Sequence, residues 1–298
     1  MRKILVTGGT VFVSRYVAKY FAEKGDTVYV LNRNSRPQVP GVTLIEADRN
    51  NLGDKLKGYD FDAVLDITSY TRADVENLIS ALGSFRDYIF ISTSAVYHED
   101  LPRPMVEERI TAPNSLWPGY AENKLDAEKY LWEALPQAYI LRPPYFYGPG
   151  ENLYREPFIF ECAEKNRPFY IPGDGQLPLQ FFHVEDLCRL MDILITDHPE
   201  NRILNVGNPA SITVNELVKL CYEVVGTPLT TIRVDGHSNM DYFSFRDYYY
   251  FLDVTKEMEL LGSVKDMKEG LAESYAWYRC HREDVKQKPF IAYIDAHL

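Results

Sequence analysis

Ile4-Leu5-Val6-Thr7-Gly8-Gly9-Thr10-Val11-Phe12-Val13-Ser14 is the stretch on which the reading of this chain turns. The apolar run reads as a strand, Gly8-Gly9 as a tight turn, and the residues beyond it as a helix. Val13, Val17, Tyr20 and Phe21 fall at i, i+4, i+7 and i+8, which gives that helix one apolar face to pack on a sheet. A helix beginning just beyond such a turn aims its free N–H groups and positive dipole end at whatever lies above the strand, a phosphate site. The dinucleotide fingerprint asks for three glycines. Gly8 supplies the first, but Val11 stands where the backbone should pass close to a pyrophosphate, and Ser14 where the helix should lie close on the strand. Taken alone, the fragment also suits an αβ turn with no ligand.

Working outward, Thr27–Leu31, Val42–Ile45, Ala63–Ile67 and Tyr88–Ser92 read as further buried-type strands, with a turn around Gly58-Tyr59-Asp60 and a helix over Ala73–Leu82. Strands alternating with helices at this pace predict an α/β fold, a Rossmann-type doubly wound parallel sheet covered on both faces. In such a sheet the carboxyl ends of the strands line the ligand crevice. Asn32 with Arg33 comes after the second strand, and a neutral residue followed by Arg accepts a 2′-phosphate, which points to NADP over NAD. Asp48 can reach an adenine amine and the Ile67-Thr68-Ser69 backbone can flank a ribose; Asp48 and Asp66 equally suit a turn or a helix cap.

Composition narrows the function. The 298 residues carry a net charge of -11 and no run of Lys and Arg, so a nucleic-acid partner is not expected. No apolar run approaches the roughly 18 to 20 residues of a membrane helix, and Met1-Arg2-Lys3 leads straight into the first strand, which points to a cytoplasmic protein without membrane partners. Cys162, Cys188, Cys221 and Cys280 lack the close spacing of zinc or redox motifs and read as buried free thiols. The histidines show no ligand spacing, so no metal is expected.

Ser92-Thr93-Ser94-Ala95-Val96-Tyr97 places three hydroxyl-bearing residues at a strand's carboxyl end, and Pro118-Gly119 then opens a helix holding Tyr120 and Lys124. Spacing i to i+4 puts phenol and ammonium on one helical face, where the cation favours the phenolate and makes the tyrosine usable as acid and base.

The order of Thr7-Gly8-Gly9-Thr10, Ser92 to Tyr97, Tyr120-Ala121-Glu122-Asn123-Lys124 and Leu141-Arg142-Pro143-Pro144-Tyr145-Phe146-Tyr147-Gly148-Pro149-Gly150 resembles the extended short-chain dehydrogenase/reductase family, specifically its NAD-dependent epimerase/dehydratase group. The likeness continues through Gly173-Asp174-Gly175, Phe182-His183-Val184-Glu185-Asp186, Asn205-Val206-Gly207 and Leu252-Asp253-Val254-Thr255-Lys256, nearly the whole chain. It implies Tyr120 as general acid/base, Lys124 as holder of the nicotinamide ribose and depressor of the tyrosine pKa, and Thr93 as hydrogen-bond partner of the reacting sugar oxygen, with Ser94 the alternative. Gly8, Thr10, Val11, Phe12, Val13, Asn32, Arg33, Asp48, Ile67 and Thr68 complete the expected NAD or NADP site. The family's organisation implies a nucleotide-binding domain over 1–148, rejoined by segments near 181–206 and 251–255, and a smaller, mostly substrate-binding lobe over 149–298. A homodimer through the helices near Ala73 and Tyr120 is implied as well.

The departures are part of the reading. Atypical members with a Gly-Gly-Thr-x-Phe pattern also lack a glycine at the Val11 place, and Ile67-Thr68-Ser69-Tyr70 is similar to that branch, which includes chloroplast RNA-binding relatives. The glycine losses predict a pyrophosphate held further from the helix and modest cofactor affinity. On the substrate side, Tyr145 stands where sugar-nucleotide enzymes carry Asn, and Leu179 where they carry an Arg that grips the diphosphate. Arg246 matches the second basic contact, unless it pairs with Asp247 or Asp241. The function implied is epimerisation, dehydration or reduction of a nucleotide sugar or similar small molecule by hydride transfer. The alternative is a non-catalytic NADP-binding regulator or scaffold.

Overall fold

A computed structural model describes residues 1–109 and 111–298. Strands and helices alternate through β1 (Lys3–Thr7), α1 (Phe12–Glu23), β2 (Thr27–Asn32), β3 (Val42–Glu46), β4 (Leu56–Asp66), α2 (Arg72–Ala81), β5 (Leu82–Ile91), α3 (Tyr120–Ala134) and β6 (Tyr139–Arg142). The chain continues through β7 (Tyr145–Tyr147), α4 (Glu156–Glu164), β8 (Phe169–Pro172), β9 (Pro178–Leu179), β10 (Phe181–His183), α5 (Val184–Asp197) and β11 (Ile203–Asn205). It ends with β12 (Ile212–Thr213), α6 (Val214–Val225), β13 (Thr231–Val234), α7 (Asn239–Tyr242), α8 (Thr255–Leu261), α9 (Met267–Cys280) and α10 (Phe290–His297).

A seven-stranded sheet runs in the order β3-β2-β1-β4-β5-β6-β11, and every pairing in it is parallel. Side chains alternate across a strand, so β1 feeds two cores. Ile4 and Val6 pack with Val17 and Phe21 of α1 and Leu187 and Leu190 of α5. Leu5 faces the other way, toward Val75 and Leu78 of α2 and Leu131 of α3. The strand order reverses between β1 and β4, and such a switch point opens a crevice above the carboxyl ends of the strands.

The elements differ from the sequence reading in one place that matters for register. Gly58-Tyr59-Asp60 is not a turn but part of β4, which is paired along its length with a β5 that starts at Leu82 rather than Tyr88. Gly83 makes this possible, because a Cβ there would lie 2.4 Å from the Tyr59 carbonyl oxygen. Cys280 is also exposed at the end of α9, whereas Cys162, Cys188 and Cys221 are buried.

Over the sheet's carboxyl edge lies a separate, aromatic-rich core in which α4, α6 and α9 pack around Phe158, Phe169, Tyr222, Phe243 and Phe245. Thr213 and Glu216 cap α6 reciprocally, and Gly226 ends it in the left-handed conformation. The chain between α7 and α8 turns back, and Leu252 pairs with Met105 and joins Val96, Tyr97 and Leu125 in a small core next to the strand ends.

Candidate active site

The β1–α1 turn is built by two adjacent glycines. Gly8 (φ 92°) and Gly9 (φ 88°) both take the left-handed conformation that side chains resist. A Cβ on Gly8 would lie 2.8 Å from the Ser14 hydroxyl oxygen, and one on Gly9 2.6 Å from Val30 Cγ1. The close approach to the sheet therefore falls on Gly9, not on position 14. Ser14 is buried and donates its hydroxyl to the Val11 carbonyl at 3.0 Å, which tucks its side chain back against the start of the helix. Val11 at the N-cap contributes no side-chain hydrogen bond and the first turn of α1 has no acid, so its leading N–H groups are left for an incoming anion.

Above this turn opens a cavity of about 530 Å3. It brings together Gly8, Thr10, Val11, Asn32, Arg33, Asp48 and Thr68 from the sequence reading. Phe12, Val13 and Ile67 are placed elsewhere. Val13 and Ile67 pack against the α1/α5 core, and Phe12, itself at φ 32°, lines a neighbouring cleft between α1 and Gly150. Asn32 is already engaged, donating to the Gly8 carbonyl at 2.6 Å and to Gln38 Oε1 at 3.0 Å, so it locks the turn to the end of β2. The exposed Asp48 accepts from the Asn50 N–H at 3.0 Å as a turn residue on the cavity rim. Arg36 and Arg49 join Arg33 in the lining, and the sequence reading missed both. Arg49 bridges to the Thr68 carbonyl. Their signal was the repetition of Arg at 33 and 36 and the Arg directly after Asp48.

Asp66 is neither a turn nor a cap residue. Fully buried, it accepts hydrogen bonds from the Thr7 hydroxyl (3.0 Å), the Tyr88 hydroxyl (2.7 Å) and the Ser69 N–H (3.2 Å). Thr7 in turn accepts from the N–H groups of Ile67 and Thr68 at 2.9 and 3.0 Å. This network fixes the ends of β1 and β4 against each other at the switch point.

Tyr120, at the first position of α3, and Thr93, just beyond β5, stand next to the cavity; the Tyr120 ring lies 6.3 Å from that of Tyr70 on the cavity wall. Burial raises the Tyr120 phenol pKa, the Thr93 hydroxyl beside it pulls the value back, Tyr70 pushes it up, and the Arg155 charge lowers it. Lys124, one turn further along α3, is buried. Its ammonium points into the sheet, donating to the carbonyls of Ser69 and Ile91 at 2.7 Å each, with the Phe90 and Tyr70 rings beside it. Burial pushes Lys124 down to about 8, against the pull of Asp66, Glu128 and Asp74. The cation whose charge bears on the phenol is Arg155, which the sequence reading did not single out.

Opposite, Tyr145 packs in an aromatic wall with Phe245 (5.1 Å) and Tyr250 (5.5 Å). Ser94 is buried at the foot of this wall. Arg246 pairs with neither Asp241 nor Asp247; its guanidinium lies 5.6 Å over the Trp117 ring. The segment before α3 is anchored by a buried set in which Arg142 pairs with Glu128 at 2.6 Å and donates to the Tyr97 hydroxyl at 2.8 Å, which reaches Asn205. His183 caps α5, accepting the Glu185 N–H on Nδ1, so Nε2 carries the proton. Lys265 already bridges Glu185 and Glu273 beside it, and a protonated imidazole nitrogen with an ammonium in place is poorly suited to a metal ion. Among the described residues no helix is long and apolar enough to cross a membrane.

A doubly wound parallel sheet, a glycine turn feeding an uncapped helix and a tyrosine beside the resulting crevice define a nucleotide-binding α/β protein of the Rossmann class. The chain belongs to the NAD dependent epimerase/dehydratase family, whose family model matches residues 4–207. It is 31% identical over 285 residues to the dTDP-glucose 4,6-dehydratase of Streptomyces griseus, covering 88% of this chain and 81% of that protein. It is 28% identical over 300 residues to the chloroplast stem-loop binding protein of 41 kDa b of Arabidopsis thaliana, covering 92% of this chain and 78% of that one. The fold is shared with the dTDP-glucose 4,6-dehydratase of Bacillus anthracis, solved in complex with NAD, at a TM-score of 0.77 and 19% identity over 96% of this chain and 99% of the other.

Proposed function

We propose that this chain is an NAD(P)-dependent enzyme that epimerises, dehydrates or reduces a nucleotide sugar. The observation that carries the reading is that Thr93 and Tyr120 stand side by side, with the Tyr120 ring 6.3 Å from that of Tyr70, a wall residue of the cavity that also holds the glycine turn and the start of the uncapped helix. The residues fit a dinucleotide: the two glycines let the turn pack tightly on Val30 and Ser14, and the uncapped start of α1, with no acid in its first turn, leaves N–H groups for a pyrophosphate. Gly8, Thr10 and Val11 would hold the pyrophosphate, and Asp48 and Thr68 would flank the adenosine. Arg33 and Arg36 would take a 2′-phosphate, which supports NADP, although the related dehydratase structure contains NAD.

When bound, a nicotinamide dinucleotide supplies a reversible hydride acceptor. The chain's own residues handle the proton. Tyr120, held above its ordinary pKa by burial, is a phenol at neutral pH and gives up its proton less readily than a free tyrosine; to act as acid and base it needs groups that favour the phenolate, and the Thr93 hydroxyl and the Arg155 charge provide them. Thr93 orients the sugar oxygen whose proton moves. Lys124, tied to two carbonyls, would present its remaining N–H to a ribose hydroxyl. Names of relatives support the substrate class, since the Streptomyces protein acts on dTDP-glucose. A homodimer through the outer faces of α2 and α3 belongs to the same reading and is supported by Trp132, which is 48% exposed on α3.

The test is turnover of a panel of nucleotide sugars with NADP or NAD, repeated with Tyr120→Phe. Loss of the phenol hydroxyl should lower kcat by about 10²- to 10⁴-fold and leave cofactor affinity within about threefold. Turnover that survives in Tyr120→Phe removes the mechanism. Absence of NAD and NADP binding removes the whole reading.

A further inference from the structure

A second cleft, of about 490 Å3, opens beside the cofactor cavity and falls within the roughly 300 to 1,000 Å3 that small-molecule sites occupy. The two share Thr10, Val11 and Arg36. Phe12, Arg15, Tyr16 and Lys19 fall at i, i+3, i+4 and i+7, so one stripe of α1 lines this cleft and no part of the cofactor cavity. The rest of the lining comes from far along the chain, with Asn152 just after Gly150 and Trp277 and His281 at the end of α9. The Trp277 and His281 rings stack at 4.8 Å with 4° between their planes, a flat aromatic pair.

Two polar side chains in this lining have no partner in the chain. Asn152 is only 9% exposed, and among the described residues nothing hydrogen-bonds its amide, which offers two donors and an acceptor. A buried amide left unmatched costs its desolvation unless water or a ligand satisfies it. Tyr16 is half-buried and its hydroxyl has no partner among the described residues either. Burial and the charge of Glu185 raise the Tyr16 phenol pKa, so it stays a donor. The charge of the lining also runs against that of the chain. The sequence carries 43 acids and 32 bases, yet the cleft is lined by Arg15, Lys19 and Arg36 against one acid, Asp284. Glu185 and Glu273 lie near Tyr16, but Lys265 bridges the two.

We propose that this cleft is a second nucleotide site, which takes a nucleoside monophosphate while the dinucleotide occupies its own cavity. A base stacks on the Trp277 and His281 pair, its polar edge meets the Asn152 amide, and the phosphate lies among Arg15, Lys19 and Arg36. Each part of the lining answers one part of such a ligand: a flat ring, a hydrogen-bonding edge and a double negative charge. Stacking accepts any base, so the Asn152 edge is what distinguishes one base from another. Thr93 and Tyr120 do not line the cleft, which places it outside the hydride-transfer chemistry. The inference rests on the cofactor reading above only in that the first cavity is filled by the dinucleotide.

The experiment titrates the full chain with AMP, GMP, CMP and UMP, with the corresponding nucleosides and with inorganic phosphate, each with and without saturating NADP. Wild type should bind at least one monophosphate in the presence of NADP, and nucleosides and phosphate far more weakly. Trp277→Leu, which keeps apolar packing on the aromatic-rich core but removes the ring, should weaken the monophosphate by about tenfold or more. Lys19→Ala should weaken it by about three- to tenfold with unchanged thermal stability, because Lys19 is exposed and meets only Glu23, at 3.7 Å. Asn152→Ala should narrow the differences among the four bases. No monophosphate binding by wild type, its abolition by NADP, or binding by both Trp277→Leu and Lys19→Ala equal to that of wild type overturns the assignment. Inorganic phosphate bound as tightly as the monophosphates overturns it as well. Monophosphate binding that the two variants weaken, in a protein that binds neither NADP nor NAD, keeps this site and removes the cofactor reading.

Discussion

Gly8 and Gly9 shape the turn below the cavity with main chain, whereas Arg155, Arg246 and Lys288 lie over the Tyr145, Trp117 and Phe290 rings on long side chains from three distant segments. On the first side the chain leaves atoms out: no Cβ at the turn, no cap on α1, no acid in its first turn. On the second it adds long cationic side chains, of which Arg155 pairs with Glu151 at 3.6 Å. A site made of backbone tolerates almost no substitution because each position is held by sterics. A site made of flexible cations has exposed members, such as Lys288, that can be exchanged without disturbing a core. Main-chain sterics and exchangeable side chains thus occupy separate parts of this molecule.

The sharpest way to break that contrast is Gly9→Ala. The methyl group would meet Val30 Cγ1 at 2.6 Å, and the backbone at φ 88° resists any Cβ. The left-handed penalty and the overpacking together should lower stability by about 2 to 4 kcal/mol, read as a shift in the urea midpoint. Cofactor binding should fall with it, because Val30 holds β2 beside the turn. A stability change below about 0.5 kcal/mol would mean that the turn is not held by sterics, and the distinction between the two sides would collapse.

The same contrast explains what is legible in the sequence. Backbone sites are local: Thr7 to Ser14 and the strand before it are contiguous, and Ile4-Leu5-Val6 is apolar without a break because both faces of the strand are covered, as in a parallel sheet. Tyr120 and Thr93 are readable because order along the chain carries them to one edge. Three kinds of residue are not. Arg155 and Lys288 lie far apart in the chain, and only the packing of Phe290 on Tyr154 brings them near. The i to i+4 spacing puts Lys124 and Tyr120 on one helical face, but spacing does not say that the carbonyls of Ser69 and Ile91 also hold the ammonium. Gly58 to Asp60 reads as a turn by composition, while Gly83 on the neighbouring strand lets that stretch pair.

A smaller effect sharpens the boundary between the two sides, because Lys124 sits on it. In the unliganded protein its ammonium loses a proton at about 8. If it holds a ribose hydroxyl as a cation, cofactor affinity should weaken by about three- to tenfold between pH 7 and 9, and Lys124→Met should flatten that profile. Stability should run the other way. The unfolded lysine keeps its proton up to the ordinary value of 10.5, so between about 8 and 10.5 the unfolded state binds more protons, and the contribution of Lys124 to stability rises with pH across that window. Opposite slopes for affinity and stability, both lost in Lys124→Met, identify one group behind both. Parallel slopes would assign the affinity change to another residue.

The smallest expected change returns a fingerprint residue to the chain. Ser14→Gly would recreate the glycine that dinucleotide turns carry where helix meets strand, and if that position set the depth of the pyrophosphate, affinity should rise. The geometry argues otherwise. The Ser14 hydroxyl is folded onto the Val11 carbonyl, its side chain is buried, and the contact that needs a glycine is the one between Gly9 and Val30. Glycine in the first turn of α1 should therefore lower stability by about 0.5 to 1 kcal/mol through backbone entropy and a lost hydrogen bond, and leave NADP affinity within about threefold. A tenfold gain in affinity would show that Ser14, small as it is, does hold the cofactor away from the helix. The cofactor side would then be limited by a side chain after all, and would differ from the substrate side in degree rather than in kind.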